Sequence, residues 1–137
     1  MAEVTANWKS EMAFDLGIEG FSIPADADPE FGGEGYGPRP KGLMLTALAG
    51  CTGMDVVSIL GKMKVVFDSF EILIRGETAD KHPKVYTKVH LEYRFKGQDL
   101  PETKIARAIE LSLNDYCAVA ATLRHTAEIS HTIQIKS

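Results

Sequence analysis

The fold of this chain is decided by the stretch KGLMLTALAGCTGMDVVSILGKMK, residues 41–64. Between Leu43 and Cys51 only Thr46 is polar, so a helix formed here is apolar on nearly every face. Such a helix belongs in the centre of a fold rather than on its surface. Its apolar run is too short, and too often interrupted by polar residues, to predict a membrane span. We therefore expect a buried central helix with a cysteine near its middle.

The chain has 137 residues, a formal net charge of −4 and no cluster of lysines or arginines. This length predicts a single domain, residues 1–137, with one hydrophobic core. Without a basic patch, we expect no nucleic-acid partner and no membrane partner. The first residues lack the charged and apolar regions of a signal peptide, so the predicted location is cytoplasmic.

Alternating apolar residues predict strands on both sides of the helix. Before it, residues 12–18 and 21–23 predict a hairpin, preceded by a short strand around residues 4–8. Residues 24–40 are rich in proline, glycine and acidic residues, which predicts a long loop that folds over Cys51. After the helix, strands are predicted near residues 70–78 and 85–95, the second with Tyr86 on its wet face.

The C-terminal part predicts a second helical region and a last strand over residues 127–135. Pro101 suits the first turn of a helix, and apolar or small residues then recur at helical spacing. These residues are Ile105, Ala108, Ile109, Ser112 and Tyr116. Asn114 and Asp115 predict a break and a new N-cap, followed by a short helix that contains Cys117 and ends near Arg124.

This order of elements predicts an α+β fold, with a mainly antiparallel sheet wrapped around the long central apolar helix. A single domain of this size would struggle to cover a helix that is apolar on all sides. A two-fold homodimer, with paired helices sheltered between the sheets, would cover it.

Cys51 and Cys117 are the two cysteines of the chain, and three interpretations of them stay open. They are small buried hydrophobic residues, redox thiols or metal ligands. A zinc site would need two histidines in addition, and no histidine pair has the spacing of a zinc finger. The histidines are His82, His90, His125 and His131, the last of which we expect in the core or an interface.

A redox role requires a thiolate. Cys117 is predicted just after a helix N-terminus, where the helix dipole favours an anion. Cys51 lies among apolar neighbours, so its thiolate would need a nearby cation, and Asp55 one turn away would oppose it. The candidate cations are Arg39, Lys41 and Arg124.

The segments GPRPKGLMLTALAGCTGMDVVSILGKMK and LSLNDYCAVAATL resemble the OsmC/Ohr family of thiol-dependent peroxidases. In particular they resemble its OsmC-like branch, with the signatures A-L-x-G-C-T-x-x-D-V-V and Y-C-x-V. The likeness covers essentially the whole chain, including the strand order, the loop and the interval between the cysteines. It implies the OsmC-like fold and an intertwined homodimer in which the two cysteine-bearing helices pack together.

The resemblance also implies the reduction of organic hydroperoxides in oxidative-stress defence, with no bound cofactor or metal. Cys51 would attack the peroxide bond and become a sulfenic acid. Cys117 would then condense with it to a disulfide, which a small dithiol or lipoyl-type reductant would reopen. The catalytic residues are therefore predicted to be Cys51 and Cys117.

The sequence departs from the family where the reactive thiol is activated. Family peroxidases use an arginine from the N-terminal region and a glutamate near the start of the central helix. Here no arginine precedes Arg39, and Lys41 and Gly42 occupy the place of the glutamate. The supporting candidates are Arg39 as the cation and Glu34 or Glu30 as the carboxylate.

Two other functions stay open. The first is a dimer without efficient peroxidase activity that binds a hydrophobic small molecule at its interface. The second is a hot-dog-type acyl-thioester hydrolase, which also wraps strands around a long helix. In that case Asp55 or Glu34 would serve as the base, although this function does not explain paired cysteines.

Overall fold

The computed structural model describes residues 1–137 and divides them into two compact units, residues 1–44 and 45–137. Each unit carries one three-stranded sheet. The expectation that all residues form a single domain stays a prediction.

The first unit contains an antiparallel sheet with the strand order β1-β2-β3. Its strands are β1 (Val4–Ser10), β2 (Ala13–Ile18) and β3 (Phe21–Ala25). The hairpin between β2 and β3 turns through Glu19 and Gly20, whose φ angles are both positive, as a two-residue hairpin turn requires. The predicted hairpin and the strand that precedes it are therefore confirmed.

The loop after β3 is organised around the carboxylate of Asp26. One oxygen of Asp26 accepts from the amide of Ala27 at 2.8 Å. The other accepts from the amides of Glu34 at 3.0 Å and Tyr36 at 3.1 Å. The Glu34 amide, followed by that of Tyr36, holds the pKa of Asp26 below its usual value. The loop also contains a short 3₁₀ turn, Pro29–Phe31, so it is ordered although it lacks periodicity.

The predicted central helix is α1, Pro40–Lys62. Within the second unit one face of α1 is buried, through Leu48, Thr52, Val56 and Leu60. By length and composition alone the helix is long and apolar enough to cross a membrane, contrary to the expectation from its polar interruptions. Its buried face nevertheless packs into the core of the second unit, so α1 is a core helix of this fold.

The second unit contains a sheet with the order β4-β5-β6. Strands β4 (Ser69–Thr78) and β5 (Tyr86–Lys96) are antiparallel, whereas β6 (Glu128–Lys136) lies parallel to β5. Parallel neighbours need a long crossover connection, which here contains α2 (Glu102–Leu111) and α3 (Ala118–Leu123). The prediction of a mainly antiparallel α+β fold with a central helix is confirmed, and this one parallel pair was not foreseen.

A bulge in β5 corrects the predicted position of Tyr86. Glu77 pairs with Lys88, but the next residue, Thr78, pairs with Tyr86, so Thr87 is an extra residue in the strand. An extra residue reverses the alternation of faces beyond it. Tyr86 is therefore buried, and its predicted place on the wet face is wrong.

The segment before Cys117 also differs from the prediction. After α2 the chain forms a π-helical turn, Ser112–Tyr116, and the expected N-cap at Asn114 and Asp115 lies inside this turn. The residue that caps α3 is Cys117 itself, with an extended backbone. Because a π turn contains an additional residue, it breaks the predicted apolar stripe. Tyr116, expected on that stripe, is 64% exposed.

The core of the second unit lies between α1, α2, α3 and one face of β5. Aromatic rings extend it toward the end of the sheet, where Phe70 stacks on Phe95 with ring centroids 4.3 Å apart. Fully buried residues at its centre include Leu48, Leu60, Leu91, Tyr93, Ile105 and Ile109.

Candidate functional site

The two cysteines meet in the second unit. Cys51 lies on α1 and Cys117 at the start of α3, both are free thiols, and their sulfurs lie within 4.8 Å of each other. A carboxylate oxygen of Asp55 lies within the same distance of both sulfurs. Cys51 and Asp55 are one helical turn apart and therefore share a face of α1. The structure thus brings together the two predicted sulfurs and adds a carboxylate to them.

The two thiols differ in their surroundings. Cys117 is only 3% exposed, whereas Cys51 is half-buried. Burial raises the pKa of the Cys117 thiol to about 11, although the Ala120 amide, which donates to its sulfur at 3.4 Å, acts against this. The expected thiolate at Cys117 is therefore not favoured. Cys117 caps a helix of only six residues, whose dipole stabilises a thiolate weakly. The loss of hydration of the buried sulfur outweighs this stabilisation.

A chain of buried hydroxyl groups leads to the carboxylate of Asp55. The hydroxyl of Ser112 donates to Asp55 Oδ2 at 2.9 Å. The oxygens of Ser112 and Thr52 are 2.7 Å apart, and those of Thr52 and Tyr93 are 2.8 Å apart. Thr52, Tyr93 and Ser112 are all fully buried, so these hydrogen bonds replace their contacts with water.

The donor and acceptor in each of these hydrogen bonds follow from counting the hydroxyl protons. A hydroxyl carries one hydrogen, and that of Ser112 is used by Asp55, so Thr52 donates to Ser112. Tyr93 then donates to Thr52. Burial raises the pKa of Tyr93 to about 12, which keeps its donor proton in place at physiological pH. All three hydrogen bonds therefore point toward the carboxylate.

Three members of the site, Thr52, Tyr93 and Ser112, were not predicted from the sequence. A signal was present, because Thr52 is a polar residue beside Cys51 in an apolar helix, and Ser112 lies on the apolar stripe of the second helix. Polar residues at core positions need partners, and these two find each other. Their partners could not be read from the sequence, since they come from α1, β5 and the turn after α2.

Arg39 and Glu34 lie in the first unit and make contacts there. The Arg39 side chain pairs with Asp28 at 3.0 Å and donates to the carbonyl oxygen of Gly37 at 2.8 Å. The carboxylate that binds Arg39 is thus Asp28 rather than Glu34 or Glu30. The backbone amide of Glu34 donates to Asp26, as described above.

Arg124, another candidate cation, follows α3. One of its terminal nitrogens donates to the carbonyl oxygen of Leu113 in the π-helical turn. This contact ties the end of α3 to the turn that precedes Cys117.

No histidine joins the cysteines. The ring nitrogens of His90 face the hydroxyls of Ser130 at 2.7 Å and Thr132 at 3.3 Å on β6. His131 is half-buried with its ring edge-on to Tyr93, the centroids 6.0 Å apart. The group of metal-ligating side chains around the sulfurs contains Cys51, Asp55 and Cys117. The histidine-based zinc site considered from the sequence is therefore wrong.

An open apolar groove of about 600 Å³ runs along the exposed face of α1. The side chain of Met54, in this groove, is 76% exposed. The groove is lined by Ala49, Gly50, Gly53, Met54, Val57, Ser58, Phe70 and Ile72. Cys51 follows directly after two of its residues in the sequence.

Comparison with known proteins places this geometry in a family. Residues 32–132 match the profile of the family described as OsmC-like protein. Protein YhfA of Escherichia coli K12 is 34% identical over 98 residues, which are 72% of this chain and 73% of that protein.

Solved structures show the same fold. A hypothetical protein from Aquifex aeolicus VF5 superposes with a TM-score of 0.84 at 27% identity, covering 100% of this chain and 98% of that chain. The organic hydroperoxide resistance protein OhrB of Bacillus subtilis superposes with a TM-score of 0.70 at 16% identity, covering 98% of both chains. The fold is therefore that of OsmC/Ohr proteins rather than the hot-dog fold that the hydrolase alternative assumed. From the family match and the similarity to YhfA, this chain belongs to the OsmC-like protein family.

Proposed function

We propose that this protein is a thiol-dependent peroxidase that reduces organic hydroperoxides in oxidative-stress defence. The observation that carries the proposal is the meeting of two sulfurs from distant parts of the chain, within 4.8 Å of each other. Membership of the OsmC-like family and the fold shared with OhrB, an organic hydroperoxide resistance protein, support the same chemistry.

The reaction has two chemical steps and one reductive step. The Cys51 thiolate attacks the terminal, hydrogen-bearing oxygen of the hydroperoxide, and the O–O bond breaks. Cys51 becomes a sulfenic acid, and the leaving alkoxide takes a proton from solvent to give an alcohol. The Cys117 thiol then attacks the Cys51 sulfur, and water leaves as the disulfide forms. An external dithiol, a small one or a lipoyl group, reduces the disulfide by exchange and becomes a disulfide itself.

The exposure of the two sulfurs supports this order of steps. A hydroperoxide from solvent reaches half-buried Cys51 more readily than Cys117, which is 3% exposed. Cys117 needs to reach only the neighbouring sulfur. The sulfurs, now within 4.8 Å of each other, must approach to about 2.0 Å to bond.

The apolar surroundings of Cys51 favour organic hydroperoxides over hydrogen peroxide. Ala49 and Gly50, which precede Cys51 in the sequence, belong to a groove lined mostly by apolar side chains. Burial of an alkyl or aryl group there gains about 0.8 kcal/mol for each CH₂ removed from water, which hydrogen peroxide cannot supply.

The remaining predicted features belong to this proposal. We place the protein in the cytoplasm as a homodimer, without nucleic-acid or membrane partners and without a bound cofactor. Arg39 and Glu34 stay the supporting candidates for activation of Cys51. If Arg39 acts in this way, Arg39→Gln slows the first step while Arg39→Lys retains part of the rate. Equal rates for all three proteins would remove Arg39 from the mechanism.

The test is stopped-flow reaction of the reduced protein with cumene hydroperoxide, followed by turnover with a dithiol. Cys51→Ser is expected to abolish both reactions. Cys117→Ser should still consume one equivalent of hydroperoxide and accumulate a sulfenic acid that a dimedone-type reagent traps. Retention of the wild-type rate by Cys51→Ser would refute the proposal.

The apolar groove motivates a second function, namely binding of a hydrophobic small molecule at the dimer interface without efficient peroxidase activity. This function predicts that the double variant Cys51→Ser, Cys117→Ser binds an apolar fluorescent probe as tightly as the wild type, in a wild-type protein that does not consume cumene hydroperoxide. Rapid hydroperoxide consumption by the wild type would exclude it.

A further inference from the structure

The site contains three potential metal ligands that the proposed reaction does not use together. The sulfurs of Cys51 and Cys117 and a carboxylate oxygen of Asp55 lie within 4.8 Å of one another. Two of these residues are held on one face of α1, and the third comes from the N-cap of α3. The peroxidase steps require both sulfurs but leave the carboxylate without a role.

The chemistry of these three atoms matches the preference of zinc and similar thiophilic cations. Thiolates and carboxylates are common ligands of Zn²⁺, with Zn–S about 2.3 Å and Zn–O about 2.1 Å. A tetrahedral ion with these bonds separates its ligand atoms by roughly 3.5–3.8 Å. From separations of at most 4.8 Å, the three atoms therefore have to close by no more than about 1.3 Å.

The surroundings of Asp55 are those of a positioned ligand. Ser112 donates to Asp55 Oδ2 and is itself oriented by Thr52 and Tyr93. A hydrogen bond from outside the coordination sphere fixes the orientation of a carboxylate ligand. A metal bound here would be reached from the side of Cys51 and Asp55, which are only partly buried, and a water molecule would complete its coordination.

We propose that the reduced protein binds one thiophilic divalent cation, with Zn²⁺ the best match to this donor set, through Cys51 Sγ, Cys117 Sγ and a carboxylate oxygen of Asp55. Both thiols lose their protons to solvent as the metal binds. The inference rests on the proposed function in one respect: the metal and the hydroperoxide compete for the same sulfurs. Formation of the disulfide removes two of the three ligands and releases the ion.

The site is tested on the reduced, metal-free full-length protein with Zn²⁺ alone, titrated against a chromophoric chelator. We expect one ion per chain. Asp55→Asn, which still offers Ser112 an acceptor oxygen, should weaken binding at least about tenfold, since even outer-shell changes cost that much. The matched control Asp115→Asn removes an exposed carboxylate close to Cys117 in the sequence and should leave the affinity unchanged. Far-ultraviolet circular dichroism establishes that each variant is folded.

Two further measurements decide the ligands and the redox linkage. Co²⁺ alone should give sulfur-to-metal charge-transfer absorption that Cys51→Ser and Cys117→Ser each reduce. Oxidation of the wild type with diamide should abolish Zn²⁺ binding, and reduction should restore it. Equal affinity of Asp55→Asn and wild type, or unchanged binding after disulfide formation, would overturn the metal site.

Failure of the metal site is distinguishable from failure of the peroxidase. Zinc binding in a protein that does not consume hydroperoxide supports the site and refutes the proposed function. If saturating Zn²⁺ does not slow hydroperoxide consumption, the competition proposed here is overturned. The peroxidase reaction itself is unaffected by that result.

Discussion

At the residue scale, Thr52 determines how the second unit combines a polar site with an apolar core. Its hydroxyl is the middle member of the chain from Tyr93 to Ser112, and none of the three is accessible to solvent. A buried hydroxyl that loses its partner keeps the cost of its lost hydration. The series of hydrogen-bonded hydroxyls is therefore expected to stabilise the fold as well as to orient Asp55.

Replacement of Thr52 by valine tests this role. Valine has the same shape but leaves the Tyr93 hydroxyl without its acceptor, so we expect a loss of about 1–3 kcal/mol in the free energy of unfolding. Urea denaturation measures it. The control is Thr103→Val, an exposed position on α2 that should change the stability little. A Thr52→Val protein as stable as the wild type would mean that the hydroxyl chain contributes nothing to folding.

His131 gives the protein a dependence of stability on pH. Burial lowers its pKa below the usual 6.5, with His90 acting in the same direction and Glu110 against it. The unfolded chain therefore takes up this proton at higher pH than the folded one. The contribution of His131 is complete above about pH 6.5 and is lost as the pH falls further.

Replacement of His131 by glutamine should flatten this part of the pH profile. We expect the difference in unfolding free energy between pH 7.5 and pH 5.5 to be smaller in His131→Gln than in the wild type, measured by urea denaturation at both values. An NMR titration of the wild type should show the His131 ring titrating below the usual histidine pKa of 6.5. An unchanged pH profile in the variant would contradict the assignment.

At the scale of elements, the sequence predicted those with regular periodicity and missed those with an extra residue. The central helix, the hairpin and the strands follow from spacing alone, because each has an uninterrupted pattern. The bulge at Thr87 and the π-helical turn Ser112–Tyr116 each add one residue to a regular element. Such insertions are stabilised by neighbouring elements rather than by local propensity, so local patterns do not reveal them.

The site was predictable in part: its cysteines could be identified from the sequence, but the surroundings that depend on an inserted residue could not. Cys51 and Cys117 stand out as two thiols on helical segments, and the resemblance to a family pairs them. From the sequence, Asp55 was considered as a group that opposes a thiolate and as the base of the hydrolase alternative, not as a partner of both sulfurs. Its hydrogen bond to Ser112 depends on the π-helical turn, which no spacing in the sequence indicates.

The extra residue of the π-helical turn can be removed. Deletion of exposed Asn114 should restore α-helical spacing and rotate Cys117 away from Cys51, since each residue turns a helix by about 100°. We expect disulfide formation with diamide to slow by about a hundredfold, as for a misplaced reacting group. Asn114→Ala, which keeps the length of the turn, serves as the control and should react like the wild type. Wild-type disulfide formation in the folded deletion variant would show that the turn does not position Cys117.

At the scale of the whole molecule, the exposed apolar face of α1 supports the proposed homodimer. The chain alone leaves this face and its groove in solvent, with Met54 and Val57 exposed. Contiguous apolar surfaces of this kind usually mark an interface. Glycines on the same face would let a second helix approach closely.

Gly50→Leu tests the dimer without disturbing the chain itself. A side chain at Gly50 meets no atom within 4 Å in the single chain, so the substitution should be tolerated there. In a dimer packed through α1 it would overlap the partner helix and raise the dissociation constant at least about tenfold. Gly61→Leu, also without atoms within 4 Å but outside the groove, is the control. Analytical ultracentrifugation that finds Gly50→Leu as dimeric as this control would argue against packing through this face.

The distance between Cys51 and Cys117 along the chain has a thermodynamic consequence once they are bonded. A covalent link across β4, β5 and α2 closes a large loop and restricts the unfolded ensemble, which stabilises the folded state by about 4 kcal/mol for a loop of this length. The oxidised protein should therefore melt at a higher temperature than the reduced one in calorimetry. Equal melting temperatures would indicate that strain in the bonded state cancels the gain. The heat resistance of each molecule would thus show whether it has been oxidised, until a reductant breaks the disulfide.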